Sequence, residues 1–316
     1  MTLAGLYRRR GEVDLALRLH EDLLARSDLS GVQREEARFE LAQDFLKAGM
    51  LDRAEKLFEE LAAEGVRVVA ALEQIVAIFE QGRDWKHAID AARRLEAAKG
   101  ESRRSLVAQY QCELAEEAAR EGRNDDALKL IKRALDDDRT CVRAWLALAR
   151  LERGAGDMAG AIAAYRHAFD QDARFLPEVI GSLGECYAQA GDARGYVDFL
   201  AHAAESGAPA LAAAAQARLM QQEGLDPTES LARALNAHPS RALLVDFLEL
   251  LQRRPEAIAA GLAQPAASLA VAVRKLVDAA PKYRCGNCGF TARSLFWQCP
   301  TCRQWASIAP IEDKLG

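Results

Sequence analysis

Proline is missing from the first 176 residues of this 316-residue chain, and its nine prolines fall in the remainder. Nothing in that long stretch interrupts a helix, so helix is the expected state there. Aromatic residues make up only 6% although half the chain is hydrophobic, so alanine and leucine supply the apolar surface, as suits closely packed helices. No run of 18 or more uncharged apolar residues occurs, which excludes a membrane-spanning helix within these residues. Helical patterning follows Met1-Thr2-Leu3 directly, without the charged and apolar regions of a signal peptide. A net charge of −5 argues against general nucleic-acid binding. Gly-rich phosphate loops, Ser-His-Asp order and His-Glu-x-x-His helices are all lacking, so the expectation is a protein that is not an enzyme. The length favours an elongated repeat body or two domains over a single core.

What is present is a repeat. Gly11-Glu-Val-Asp-Leu-Ala16, Gly49-Met-Leu-Asp-Arg-Ala54, Gly122-Arg-Asn-Asp-Asp-Ala127 and Gly156-Asp-Met-Ala-Gly-Ala161 share the pattern Gly-x4-Ala between amphipathic segments. Glycine ends one helix in a left-handed conformation, and the small alanine five residues on lets the next helix cross closely. Nine residues before each alanine stands a residue of the first helix: Tyr7, Phe45, Ala118 and Glu152. Phe79 and Ala88 keep that spacing with Gly82 displaced by one position, and Tyr187 precedes Tyr196 likewise, with Gly191 in place. The anchors at 16, 54, 88, 127, 161 and 196 are 38, 34, 39, 34 and 35 residues apart, and the longer steps are expected to lengthen loops.

These units resemble the tetratricopeptide repeat, most closely at Trp145-Leu-Ala-Leu148-Ala149, Gly156, Ala161, Tyr165 and Ala168. The resemblance implies an all-α fold, a tetratricopeptide-repeat right-handed superhelix over residues 1–240, with a degenerate seventh unit around Gly224 and Ala234-Leu235. Additional C-terminal helices are expected over 241–280, broken by Pro255 and Pro265. The equivalent of Trp145 in the first unit falls before Met1, so the chain reads as cut at its N-terminus.

Stacked helix pairs present a concave face that usually binds peptides or proteins. Groove positions carried over from the repeat give Glu36, Glu40, Glu73, Glu80, Glu113, Glu116, Glu178 and Glu185, with Arg143, Arg150 and Arg153 together in one unit. An acidic groove with one basic patch is expected, set against the plainer reading of a solvated helix face. The paired Lys and Asn residues of chaperone-tail clamps have no counterpart. His20, His87 and His167 fall on second helices, and His202 and His238 near helix ends, none at a recognisable catalytic spacing. Cys112, Cys141 and Cys186 occupy apolar positions as small hydrophobes.

The other four of the seven cysteines form Cys285-x2-Cys288-x10-Cys299-x2-Cys302, with no histidine beyond His238 to replace one of them. Four thiolates at this spacing suit one zinc or iron ion in a tetrahedral site, and a reducing compartment such as the cytoplasm. Gly289 permits the turn that aims backbone N–H groups at the sulfurs, whereas Arg303 stands where a second glycine is expected, implying a more strained or differently closed loop. Apolar residues between Tyr283 and Ile311 are few, chiefly Phe290, Leu295, Phe296, Trp297, Trp305 and Ile308, so the segment needs its metal to fold and should dock its aromatics on the helices.

Residues 281–316 resemble a rubredoxin-like module, through Tyr-Arg-Cys-x-x-Cys-Gly-Phe and Trp-x-Cys-Pro-x-Cys-x-x-Trp between Tyr283 and Trp305. Joined to tetratricopeptide repeats, the whole chain is similar to the lipopolysaccharide assembly protein B family of Gram-negative bacteria, lacking only that family's N-terminal membrane anchor. The resemblance implies a non-enzymatic regulatory adaptor on the cytoplasmic side of the inner membrane. It would link the lipid A pathway deacetylase to a membrane-bound AAA protease for degradation. Other inner-membrane lipopolysaccharide proteins and a homodimer are compatible with it.

The residues themselves leave two other readings open. One is a rubredoxin-like iron electron carrier, separable by the visible absorbance of protein purified without added metal. The other is a nucleic-acid-binding zinc ribbon using Lys282, Arg284, Arg293 and Arg303, although four thiolates on a divalent ion leave a charge of about −2 that these bases can neutralise.

Overall fold

A computed structural model of the protein describes residues 3–253 and 263–311. The chain forms two compact units, Met1–Arg139 and Thr140–Gly316. The first holds α1 (Leu3–Arg10), α2 (Val13–Ala25), α3 (Gly31–Lys47), α4 (Leu51–Ala63), α5 (Val68–Gly82), α6 (Trp85–Lys99), α7 (Arg104–Arg120) and α8 (Asn124–Asp137). The second holds α9 (Val142–Gly154), α10 (Met158–Gln171), a 3-10 turn (Ala173–Phe175), α11 (Leu176–Ala190), α12 (Ala193–Glu205), α13 (Pro209–Gln222), α14 (Thr228–Ala237), α15 (Arg241–Arg253) and α16 (Ala263–Ala279). Three short strands follow: β1 (Tyr283–Cys285), β2 (Thr291–Ala292) and β3 (Ile308–Pro310). The fold is all-helical, with paired helices of tetratricopeptide type and a small C-terminal β module.

The Gly-x4-Ala pattern is the signature of one hydrogen-bonded turn. In the α9–α10 pair, Gly156 takes φ +85° and its N–H reaches Arg153 O at 3.1 Å, while Asp157 N–H reaches Glu152 O at 2.9 Å. This pair of bonds satisfies the last carbonyls of the first helix. Glu152 is the residue nine before the anchor, and the same carbonyl role falls to Tyr7, Phe45, Phe79, Ala118 and Tyr187 in the other pairs. The nine-residue spacing is therefore the closing bond of the turn plus one helical turn to the buried contact. Asp157 then caps α10 by accepting from Gly160 N–H at 2.8 Å. Ala16, Ala54, Ala88, Ala127 and Ala161 are all fully buried, as their role in close helix crossing requires.

At the sixth anchor the sizes are exchanged. Tyr196 replaces alanine, its hydroxyl donates to Ile180 O at 3.2 Å, and Gly184 on α11 makes room for the ring. A Cβ on Gly184 would lie 3.0 Å from both Tyr196 Cζ and its Oη. Gly184→Val is accordingly expected to cost about 1–3 kcal/mol of stability through overpacking. Chemical denaturation should show that loss, and a Tyr196→Ala background should relieve most of it.

In the α5–α6 pair Gly82 closes α5 as a helical residue, and Arg83 takes the left-handed position at φ 56°. A side chain there is strained, so Arg83→Gly should stabilise the protein by about 1 kcal/mol. The check is a melting temperature a few degrees higher with an unchanged helical spectrum.

The 39-residue step does not lengthen its loop: the α6–α7 and α8–α9 connections are four residues each, while α7 runs 17 residues against 13 for α9. Uninterrupted helix formers continue the ladder there instead of leaving it. In the 38-residue step the extra residues are divided, with α3 at 17 residues against 15 for α5 and the α2–α3 connection at five residues against four for α4–α5. Gly224 at φ +74° closes α13 before α14. Pro265 does not break a helix: it lies in the first turn of α16, where its missing N–H would have no intrahelical partner. Pro255 lies outside the described residues.

Candidate metal centre

The C-terminal module is a three-stranded antiparallel sheet in the order β2-β1-β3, with Tyr283 opposite Ala292 on one side and Pro310 on the other. Two loops carry the cysteines, and they close alike. In the first, Cys285 N–H bonds Phe290 O at 2.8 Å and Gly289 N–H returns to Cys285 O at 3.0 Å. In the second, Cys299 N–H bonds Gln304 O at 2.9 Å and Arg303 N–H returns to Cys299 O at 2.8 Å. Gly289 sits at φ +77° and Arg303 at φ 59°, so the second loop keeps the same closure and carries the strain of a side chain.

These loops bring Cys285, Cys288, Cys299 and Cys302 together, with all four Sγ atoms within 4.8 Å of one another. Cys285 and Cys302 Sγ are 3.7 Å apart, as are Cys288 and Cys299 Sγ, and none is in a disulfide. A tetrahedron with metal–sulfur arms of ~2.3 Å has edges of about 3.8 Å, so the donor set fits zinc or iron. The local apolar core is slight: Cys285, Cys299 and Ile308 are buried, with Tyr283, Phe290 and Leu295 against them.

The surroundings favour thiolates, unevenly. Cys285 is drawn down to about 6, first by the Ser307 hydroxyl 3.3 Å away and then by the N–H groups of Cys288 and Asn287. Cys302 is lowered by the Asn287 side chain and the Gln304 N–H. At Cys288 the Phe290 N–H pulls the same way, but desolvation and the three other sulfurs outweigh it and push the thiol up to about 12. Four thiolates this close repel one another, and a divalent cation is the chemistry that lets all of them ionise.

The module is docked on the repeats of its own unit. Trp297 stacks on Phe175 with centroids 5.7 Å apart and planes 9° from parallel. Arg143 of α9, 1% exposed, places its guanidinium 5.8 Å from the Trp297 ring and 6.0 Å from the Trp305 ring. The Tyr283 hydroxyl donates to Glu178 Oε1 on α11, and burial followed by that bond raises the phenol well above its usual range. Leu295, Trp297 and Ala309 join the buried cluster formed by α9 to α13. The expectation that the aromatics dock on helices is met by Trp297 and Trp305, whereas Phe296 is 41% exposed.

Docking alters the groove expectation. Arg143 and Glu178 are used inside the molecule, and Arg153 pairs with Glu185 at 2.9 Å. Of the other acids, Glu40 pairs with Arg8 at 2.6 Å, Glu36 with Arg67 at 3.7 Å and Glu73 with Lys99 at 3.4 Å, while Glu80 accepts from the Tyr110 hydroxyl at 2.5 Å. Four of the eight acids are therefore ion-paired within the protein, and two more accept from tyrosine hydroxyls. Cys112, Cys141 and Cys186 are buried as small hydrophobes.

Histidines also pair with carboxylates that linear spacing did not show: His20 with Asp44 at 2.5 Å, His87 with Asp84 at 2.7 Å and His202 with Asp170 at 3.4 Å. Asp44 is fully buried and also accepts from Arg8 at 2.8 Å, which makes the His20 cluster a packed ion network across α1, α2 and α3. Sequence reasoning also missed Ser307 and Asn287 beside the thiols and Phe175 beneath Trp297. None of these has a local signal.

Among the described residues, no helix is long and apolar enough to cross a membrane. Residues 283–310 match the rubredoxin metal binding domain family. The crystal structure of MamA shares 16% identity over 56% of this chain and 98% of its own, with a TM-score of 0.35. Lipopolysaccharide assembly protein B of Haemophilus influenzae is 31% identical over 99% of this chain and 79% of its own length. The protein of that name from Escherichia coli K12 is 32% identical over all of this chain and 81% of its own. With that identity along its whole length and the four-cysteine module in place, the chain belongs to the lipopolysaccharide assembly protein B family.

Proposed function

We propose that this protein is a non-enzymatic adaptor that limits lipopolysaccharide synthesis by delivering the lipid A pathway deacetylase to a membrane-bound AAA protease at the cytoplasmic face of the inner membrane. In this reading residues 1–240 are the repeats, 241–280 accessory helices, and 281–316 the metal module. Cys285, Cys288, Cys299 and Cys302 hold one zinc or iron ion. The ion supplies no reaction step; it neutralises and ties together the two loops, and the backbone N–H groups around them share the remaining charge.

The observation that carries the reading is the seating of the module. Trp297 and Trp305 lie against Arg143, and Tyr283 against Glu178, so metal-held loops and repeat helices present one continuous surface to a protein partner. The test is co-purification from native membranes. The protein should capture both the deacetylase and the protease, and Cys299→Ser should capture neither. Full capture of both by the metal-free variant defeats the proposal.

A further inference from the structure

A cleft of ≈ 750 Å³ opens where the module meets the later repeats. Its walls are the starts of α11, α13 and α15, the end of α16, and the strands β1 and β3. That volume falls within the range of about 300–1,000 Å³ typical of small-molecule sites. Three cations line it, Arg174, Arg241 and Lys282, against one carboxylate, Glu178, which already accepts from Tyr283. Arg174 also bonds Asp172 at 2.6 Å. The first turns of α11, α13 and α15 face the space, but so do the C-terminal ends of α12, α14 and α16, so the positive potential comes from the side chains and not from the helix ends.

The rest of the lining is apolar, including Leu211, Val277 and Ile311. Five of the chain's nine prolines are on the wall, each without an N–H, and the lining holds neither Asn nor Gln. Ser240 is committed to Leu243 N–H at 3.1 Å. Beyond the charged residues, Ser206 and His238 are the remaining polar side chains on the wall, too few to match the backbone of a peptide laid along the cleft. An alkyl chain needs no such partners. We infer that the cleft binds a single-chain amphiphilic anion, its alkyl chain against the prolines, Leu211 and Val277 and its phosphate or carboxylate head at Lys282 and Arg174.

The test is titration calorimetry on the metal-loaded full chain with dodecyl phosphate below its micelle concentration. Inorganic phosphate and the neutral dodecyl maltoside are the comparators. Dodecyl phosphate should bind one per chain, at least tenfold more tightly than either comparator. The Arg174→Glu/Lys282→Glu double variant should weaken it by about tenfold or more, and Ala210→Trp should block it by filling the wall. Lys282→Gln, a mild change at an exposed side chain, should weaken it about threefold with metal content and helicity unchanged. Equal binding of the neutral amphiphile, undiminished binding by the double variant, or no binding of dodecyl phosphate overturns the inference.

Discussion

Cys299→Ser should empty the metal site and unfold residues 283–310 while leaving the helices formed. Cys299 is fully buried and its Sγ is 3.7 Å from Cys288 Sγ, so a serine both removes a thiolate ligand and puts a hydroxyl into the centre of the module. Structural zinc contributes roughly 10–16 kcal/mol to folding in comparable small modules. The local core of Cys285, Cys299 and Ile308 is far too small to offset that loss. Elemental analysis should give one ion per chain for the parent protein and essentially none for the variant. Hydrogen exchange should show protection lost at Cys285 and Ile308, whose strands pair, but retained along α3 and α7. A module that stays protected without metal would show that side-chain packing, not the ion, holds it.

Trp297→Ala is expected to separate docking from metal binding. Its ring stacks on Phe175 and receives the Arg143 guanidinium on its face, yet none of its atoms belongs to the metal site. Truncating a fully buried tryptophan costs about 3–5 kcal/mol, and this half-buried one should cost about 2–3 kcal/mol, including the lost cation–π contact. That corresponds to roughly 30–150-fold in the docked-to-undocked ratio. Limited proteolysis should then cut between α16 and β1 at a sharply raised rate, with metal content unchanged. An unaltered cleavage rate would mean that the Tyr283–Glu178 bond and Ala309 hold the module unaided.

Local pattern made much of this readable before any coordinates. The repeat shows in sequence because each turn needs a left-handed residue and each crossing a small one, so Gly156 and Ala161 recur as a spaced pair. The cysteines show because two ligands from one loop stand three residues apart, as Cys285 and Cys288 do. Strain was half legible: Arg303 stood out as a missing glycine, and the structure gives it the glycine's conformation. Where the extra residues of the long steps go is not legible, because Ala-rich and Glu-rich sequence is equally at home continuing a helix, as in α7, or leaving it, as between α2 and α3.

Contacts between distant segments carry no such signal. Tyr283 and Glu178 are 105 residues apart, and Arg143 reads as a groove cation until Trp297 is laid over it. His20 and Asp44 lie 24 apart on neighbouring helices, a spacing that means nothing until the repeat register is known. The cleft beside Lys282 is likewise assembled from the ends of several helices and two short strands, each unremarkable alone.

Partner capture by the metal-loaded Trp297→Ala variant tests the central claim most directly, because it removes the seating and spares the ion. The account predicts one metal ion per chain together with loss of both the deacetylase and the protease from the co-purified material. Capture of both partners at the parent level, by a variant whose module is shown to be undocked, would contradict it.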